Sequence, residues 1–377
     1  MAGVYVHIPF CKQACYYCDF HFSTSFKYKD EMLDALLKEI DLQKNFLENE
    51  CIETIYFGGG TPSVLSADEI NRIIDRITSV NKQIALKEVT LETNPDDLSS
   101  EKIRALRSTP VNRFSIGIQS FFDKDLKWMN RAHNSKEAEF CIKGSQDAGF
   151  ENLTIDLIYG YPLLSEQKWL SNINKSIGMG IPHISCYSMT VEPKTALAAF
   201  IRKGEQPKMD DEQSAQHFLT LTSQLQNAGF EHYEISNFAK DAQYSMHNTN
   251  YWKGVKYLGI GPSAHSFDGC TRQWNIANNA HYITALSKGE IPAEKEILTN
   301  RERVNEYIMT SLRTMWGIQI SKLEKEFSHV YPEIIKYTQQ FIDKGWVNKT
   351  EKSICLTTEG KLYADYISSE LFIEDEF

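Results

Sequence analysis

Apolar and polar residues alternate with two different periods along the first half of the chain. Short runs rich in β-branched and aromatic residues read as strands: VYVHIP (4–9), TIYFGG (54–59), EVTLETN (88–94), RFSIGIQS (113–120), NLTIDLIYG (152–160) and HISCYSMT (183–190). Stretches with helical spacing separate them. One near 28–46 places Leu33, Leu36, Leu37 and Ile40 on one face, and SADEINRIIDRI opens another with Ser66 as its N-cap. Six strands within about 190 residues, each but the last followed by a helical stretch, predict an α/β fold with a parallel sheet under helices. Eight such units would close a TIM-like barrel; six predict a partial, open (β/α)6 barrel. Each run ends in polar or glycine-rich residues, where barrels gather their functional side chains.

The rhythm changes after about residue 200. Residues 209–228 read as a helix. YEISNFA and HNTNYWKGVKYLGIGPSAHSF, rich in Gly, Asn and aromatics, read as strands and loops. From about 301 the pattern is helical again, then come two short strands, WVNKT and SICLTT, and a last helix. Helices followed by a β-hairpin predict an α+β, winged-helix-like C-terminal domain. The expected organisation is a core over 1–230, a connecting α/β segment over 231–295, and the C-terminal domain over 296–377.

Composition narrows the picture. No apolar run approaches the ~20 residues needed to span a bilayer. MAGVYVHIPF has neither the basic start nor the apolar length of a secretory signal, so a cytoplasmic protein is expected. The net charge of −10, without a basic stripe, argues against nucleic acid as a partner. The winged-helix-like end is therefore expected to dock protein or act as a lid.

Eight cysteines stand at 11, 15, 18, 51, 141, 186, 270 and 355. A reducing compartment argues against disulfides, and the five scattered ones read as small buried hydrophobes. The other three form Cys11-Lys-Gln-Ala-Cys15-Tyr-Tyr-Cys18 directly after the first strand. Thiolates are the ligands of iron–sulfur clusters. Three on one loop can cap three irons of a [4Fe–4S] cubane. The fourth iron stays open to the amino and carboxylate groups of a methionine, as in S-adenosylmethionine. A zinc site completed by Asp19 or His21, or three unpaired thiols, are the alternatives for the loop alone. Tyr56-Phe-Gly-Gly-Gly-Thr-Pro-Ser63 ends the second strand, and its glycines let a backbone edge approach a ligand closely. Loop and glycines together favour the cluster with S-adenosylmethionine. One electron from the cluster would break a C–S bond to give a 5′-deoxyadenosyl radical, chemistry that belongs to the cofactor while the protein places it.

Through YVHIPFC, GGGTPS, ETNP, SIGIQSF, NRAH and DLIYGYP the sequence resembles the radical S-adenosylmethionine superfamily. Within it, the chain is similar to the branch of oxygen-independent coproporphyrinogen III oxidase and the heme chaperones, and the likeness extends through YEISNFA to the C-terminal domain. The resemblance implies that Tyr5 and Tyr17 flank the cofactor. It implies that Gly59, Gly60 and Thr61 hold its methionine end, that Glu92 accepts from that end or the ribose, and that Gln119, Arg131 and Asp156 meet ribose, carboxylate or adenine. Two departures point away from the oxidases. They carry a fourth cysteine two positions after the third, where Phe20 stands here. They also carry an N-terminal extension, for which a strand starting at residue 4 is expected to leave no room.

His247-Asn248-Thr-Asn-Tyr251-Trp252 matches the H-N-x-x-Y-W motif associated with heme in the chaperone branch. An imidazole can ligate heme iron and aromatic rings can cover a porphyrin face. His265 and Cys270 compete for the axial role. The implied function is a heme chaperone that delivers heme to apo-hemoproteins, respiratory ones included, with peripheral contact to membrane hemoproteins, as a monomer or a cofactor-dependent homodimer. The alternatives are a decarboxylating coproporphyrinogen III oxidase and another radical enzyme such as a methyltransferase.

Overall fold

In the computed structural model, which describes residues 1–374, the six apolar runs are strands. They are β1 (Ala2–Ile8), β2 (Ile52–Gly59), β3 (Ile84–Thr93), β4 (Arg113–Gln119), β5 (Asn152–Tyr159) and β6 (His183–Ser188). They lie side by side in chain order, and each neighbouring pair is parallel. All seven residues of β4 are buried. That is the mark of a central parallel strand covered on both faces, although Arg113, Ser115 and Gln119 alternate with Phe114, Ile116 and Ile118 along it. Crossover helices pack outside. In the helix Ala67–Val80, Ser66 and Glu69 form the reciprocal capping box, and Ile70, Ile73, Ile74 and Ile77 are buried against the sheet.

The barrel stays open because both of its edges are extended by residues 231–297. On one side β7 (Glu231–Glu234) and β8 (Asn237–Ala239) form a hairpin, and β8 runs antiparallel to β6. On the other, β9 (Tyr257–Ile260) lies parallel to β1, and β10 (His265–Phe267), β11 (Thr271–Asn275) and β12 (Ala293–Ile297) continue as an antiparallel meander. Phe238, Leu258, Ile260 and Tyr282 join the same apolar core as β1–β6. The segment between the first 230 residues and the C-terminal domain thus forms the two flanks of one twelve-stranded sheet.

The helix Met246–Trp252, which carries HNxxYW, packs at the N-terminal ends of β1–β3. The Glu88 carboxylate, 2% exposed, accepts from the amides of Met246 (3.0 Å) and His247 (2.9 Å). Arg113, also 2% exposed, lies with its Nε 3.8 Å from Glu88 and donates to Asn152 and Thr154. Thr154 meets His183 at 3.0 Å, and His183 meets the Tyr233 hydroxyl at 2.7 Å. A polar network therefore fills the base of the barrel and ties five strands to this helix.

The C-terminal domain has its own core, from Val304 through Ile334 and Phe341 to Ile373. Helices Asn300–Leu312, Ile320–Glu326 and Tyr331–Asp343 pack on a small antiparallel sheet of β13 (Ile318–Gln319), β14 (Val347–Lys349) and β15 (Ser353–Leu356) in the order β13-β15-β14. This is the winged-helix-like arrangement expected. It is joined to the β7 edge: Met315 donates to the Tyr233 carbonyl at 2.9 Å, and Lys361 donates to the His232 carbonyl at 3.2 Å. Among the described residues no helix is long and apolar enough to cross a membrane.

Candidate functional site

A cavity of about 400 Å³ opens at the C-terminal ends of the parallel strands. Cys11, Cys15 and Cys18 line it, together with Tyr17, Gly59, Gly60, Thr61, Glu92, Gln119, Arg131 and Asp156. The loop after β1, the strands β2 through β5 and the segment that carries Arg131 thus bring eleven of the twelve side chains and glycines expected for cluster and S-adenosylmethionine to one place. Burial pushes the Cys11 thiol up to about 11 and the Cys18 thiol up to about 12. Both shifts favour the protonated thiol, so ligation through Cys11 and Cys18 must displace protons.

The loop is held from the glycine strand. Gly60 donates its amide to Ile8 at 2.9 Å and Thr61 to Phe10 at 2.7 Å, while the Thr61 hydroxyl donates to Cys11 Sγ at 3.3 Å. A Cβ on Gly60 would stand 2.7 Å from the Phe10 oxygen and 2.8 Å from that of Ile8, so only glycine fits. Gly59 has φ +102°, a left-handed turn that aims the strand end into the cavity.

Arg131 ties the ring together. It donates to Cys15 Sγ (3.3 Å), to Asn94 Oδ1 (2.6 Å) and to the Gly117 carbonyl (2.8 Å), and its buried Nε–H has no partner among the described residues. Asn94 also donates to the Thr61 hydroxyl at 3.2 Å. Sequence reasoning passed over Asn94, although it stands two residues after Glu92 in ETNP. Gln119 ends β4 with φ +64°, an uncommon conformation for a non-glycine residue that strained sites retain.

These residues fit the cluster better than zinc. Zinc draws four ligands to about 2.3 Å of one point. Among the described residues no three His, Cys, Asp or Glu side chains converge that way. His21 is turned aside, its Nε2 2.7 Å from Asn279 Oδ1. A cubane needs its three thiolates on three separate irons around one mouth, and Cys11, Cys15 and Cys18 all line one cavity.

Two carboxyls sit in the cavity wall. Glu92 accepts from the Tyr56 hydroxyl at 2.7 Å, and Asp156 accepts from Ser115 at 3.3 Å. Burial first, then their mutual repulsion for Glu92, raises Glu92 to about 7; burial raises Asp156 to about 6. A raised carboxyl favours the fold while protonated. Its contribution is complete below the ordinary carboxyl range and is lost as pH rises through about 6 and about 7. The melting temperature of cofactor-free protein should therefore fall from about pH 5 to about pH 8, with on the order of 1–3 kcal/mol at stake per group. Glu92→Gln should flatten that profile; an unchanged profile would place the titration elsewhere.

The remaining expected residues fall elsewhere. Tyr5, 3.2 Å from His7 Nδ1, lines a second cavity of about 820 Å³. Asp19, Phe20, Gly59 and Glu92 are common to both cavities and form the wall between them. Tyr251 and Trp252 also line the second cavity, but His247 does not. His247 is 1% exposed, with Thr54 Oγ1 2.8 Å from Nδ1 and the Tyr251 hydroxyl 2.8 Å from Nε2, and its ring stacks on Tyr56. Both nitrogens are occupied, so iron ligation by His247 would require this packing to open. His265 lines the second cavity, and Cys270, though exposed, is not among its lining residues.

Comparison with known proteins places the chain. The model of the radical SAM superfamily matches residues 5–185, and that of the HemN C-terminal domain matches 298–363. The heme chaperone HemW of Bacillus subtilis is 33% identical, with 97% of this chain and 98% of that protein covered. The heme chaperone HemW of Lactococcus lactis is 31% identical over 99% and 98%. The solved coproporphyrinogen III oxidase HemN of Escherichia coli shares the fold at a TM-score of 0.84 and 22% identity, covering 98% of this chain and 90% of that one. A cysteine loop, a glycine edge and a winged-helix-like end in one chain, matched end to end by such relatives, make it a member of the HemW family of radical SAM proteins.

Proposed function

We propose that the chain binds a [4Fe–4S] cluster through Cys11, Cys15 and Cys18, binds S-adenosylmethionine beside it, and holds heme in the adjoining cavity for delivery to apo-hemoproteins. The observation that carries this reading is the pair of cavities separated by the wall of Asp19, Phe20, Gly59 and Glu92. A cofactor pocket and a larger, aromatic-lined one share that wall, so each occupant can influence the other. Phe20, 68% exposed, stands in it where the oxidases carry another cysteine. The curated relatives named as heme chaperones support the same reading.

The cofactor, when bound, supplies one-electron chemistry. The chain's own residues bind and orient. Arg131 offers an N–H that is buried without a partner among the described residues; burial works against its charge, and the pull of Tyr17 and Cys15 more than offsets it. Glu92 and Asp156 offer acceptors to a cationic amino group and to ribose hydroxyls, and both strengthen as acceptors once deprotonated. Binding of S-adenosylmethionine should accordingly tighten as pH rises through their range. Tyr251 and Trp252 present rings to the larger cavity.

Anaerobically reconstituted protein should bind heme at one per chain, pass it to an apo-hemoprotein, and leave coproporphyrinogen III unconverted. Turnover to protoporphyrinogen IX, without heme transfer, would replace this reading with the oxidase.

A further inference from the structure

The larger cavity is a slot between the β9–β11 flank and the C-terminal domain. Strand alternation sorts the flank into two faces. His265 pairs with Trp274, and Phe267 pairs with both Tyr257 and Arg272, so these five share one face. Leu258, Ser266 and Gln273 point the other way and are buried. Opposite stand Arg303, Glu306 and Tyr307 from the helix Asn300–Leu312, and Lys322 and Phe327 from the next helix and its end. A sheet face bearing rings, set against helices bearing rings, leaves room for a flat, mostly apolar molecule with charge at its margin.

Four histidines lie in or near the slot, and hydrogen bonding separates them. His7 is held at both nitrogens, by the Tyr5 hydroxyl at 3.2 Å and the His21 carbonyl at 2.9 Å. His21 is held at Nε2 by Asn279. His247 is held at both, outside the slot. His265 is exposed, its ring stacks 6.3 Å from Trp274, and its nitrogens make no hydrogen bond among the described residues. Partial burial, then Arg272, lowers its pKa.

The charged groups are mixed. Arg272 pairs with Glu306 at 2.8 Å, yet its Nε is buried and unpartnered. Asp19 and Glu326 also line the slot. Lys322 lies 4.4 Å over the Tyr307 ring, and Arg303 stands on the same wall.

We propose that this slot is the heme seat, with His265 as the axial ligand and with Arg303 and Lys322 receiving the two propionates. The proposal rests on the heme-binding reading above. It assigns the iron to the β10 strand and leaves His247 a structural part of the barrel base.

The test uses full-length protein and two ligands, ferric heme and iron-free protoporphyrin IX, titrated by absorbance and by fluorescence. His265→Ala should shift the Soret band and weaken heme by about tenfold or more, while the iron-free porphyrin keeps its affinity. A paired Arg303→Ala, Lys322→Ala variant should weaken both ligands, because it acts on the propionates. A His265→Ala spectrum and heme affinity identical to wild type would overturn the seat. So would a spectral change confined to His247→Ala protein whose melting temperature is unaltered. Wild-type protein that binds neither porphyrin would overturn the heme reading, and the seat with it. Wild-type heme binding left unchanged in affinity and spectrum by His265→Ala overturns the seat alone.

Discussion

Replacing Cys15 with alanine is expected to abolish the visible iron–sulfur absorbance of anaerobically reconstituted protein, and S-adenosylmethionine binding with it. Cys15 is partly buried on the loop between β1 and the first helix, and its sulfur accepts a 3.3 Å hydrogen bond from Arg131. The substitution should hardly disturb the fold, as expected for a partly exposed loop residue, with a change within about 0.5 kcal/mol. Two thiolates cannot hold the cubane with three irons protected, and the open iron that would chelate the methionine end is lost with it. The loss should therefore be close to total for the cluster and slight for melting. Iron and sulfide analysis, absorbance and thermal unfolding on the same preparation check it. A variant that retains the band would remove Cys15 from the ligand set. A colourless, zinc-loaded wild type would defeat the cluster itself.

Glu88→Ala should be the most damaging substitution for stability, costing about 3–5 kcal/mol by the behaviour of buried ion pairs broken from one side. Glu88 accepts from two amides at the start of the helix Met246–Trp252 and faces Arg113 at 3.8 Å. Without it a guanidinium 2% exposed is left without its carboxylate, and the helix loses acceptors for two of its first amides. Ser245 would still cap the amide of Asn248. Glu88→Gln keeps the shape and one acceptor, and should cost less, about 1–3 kcal/mol. Urea unfolding of the three proteins orders them. A Glu88→Ala loss under about 1 kcal/mol would mean that Arg113 finds other partners when Glu88 is gone.

Much of the architecture was legible locally. The six runs became β1–β6 in order, because apolar β-branched and aromatic residues recur in them at strand spacing and a crossover helix must be apolar on one side. Ser66 capped its helix because the reciprocal bond with Glu69 spans only three residues. The cysteine loop and the glycine edge were legible for a similar reason: each is a short segment whose chemistry depends on residue types at close spacing.

Where distant segments meet was not legible. The strand patterns of 231–297 carry no sign of which sheet edge they extend, because edge choice depends on the faces left uncovered by strands far away in the chain. The same holds for the histidines. HNxxYW read as a ligand motif, yet Tyr56 stacks on the His247 ring, Glu88 holds its backbone amide, and Thr54 and Tyr251 occupy both ring nitrogens. His265 had no such mark, and only the docking of the C-terminal domain against β9–β11 turned its face into the wall of a slot. By itself the sequence determined the elements, the cysteine loop and the family, which rest on short-range spacing. The tertiary structure alone decided which side chains face a shared cavity and which nitrogen stays free, because burial and hydrogen-bond occupancy are set by neighbours up to about two hundred residues away.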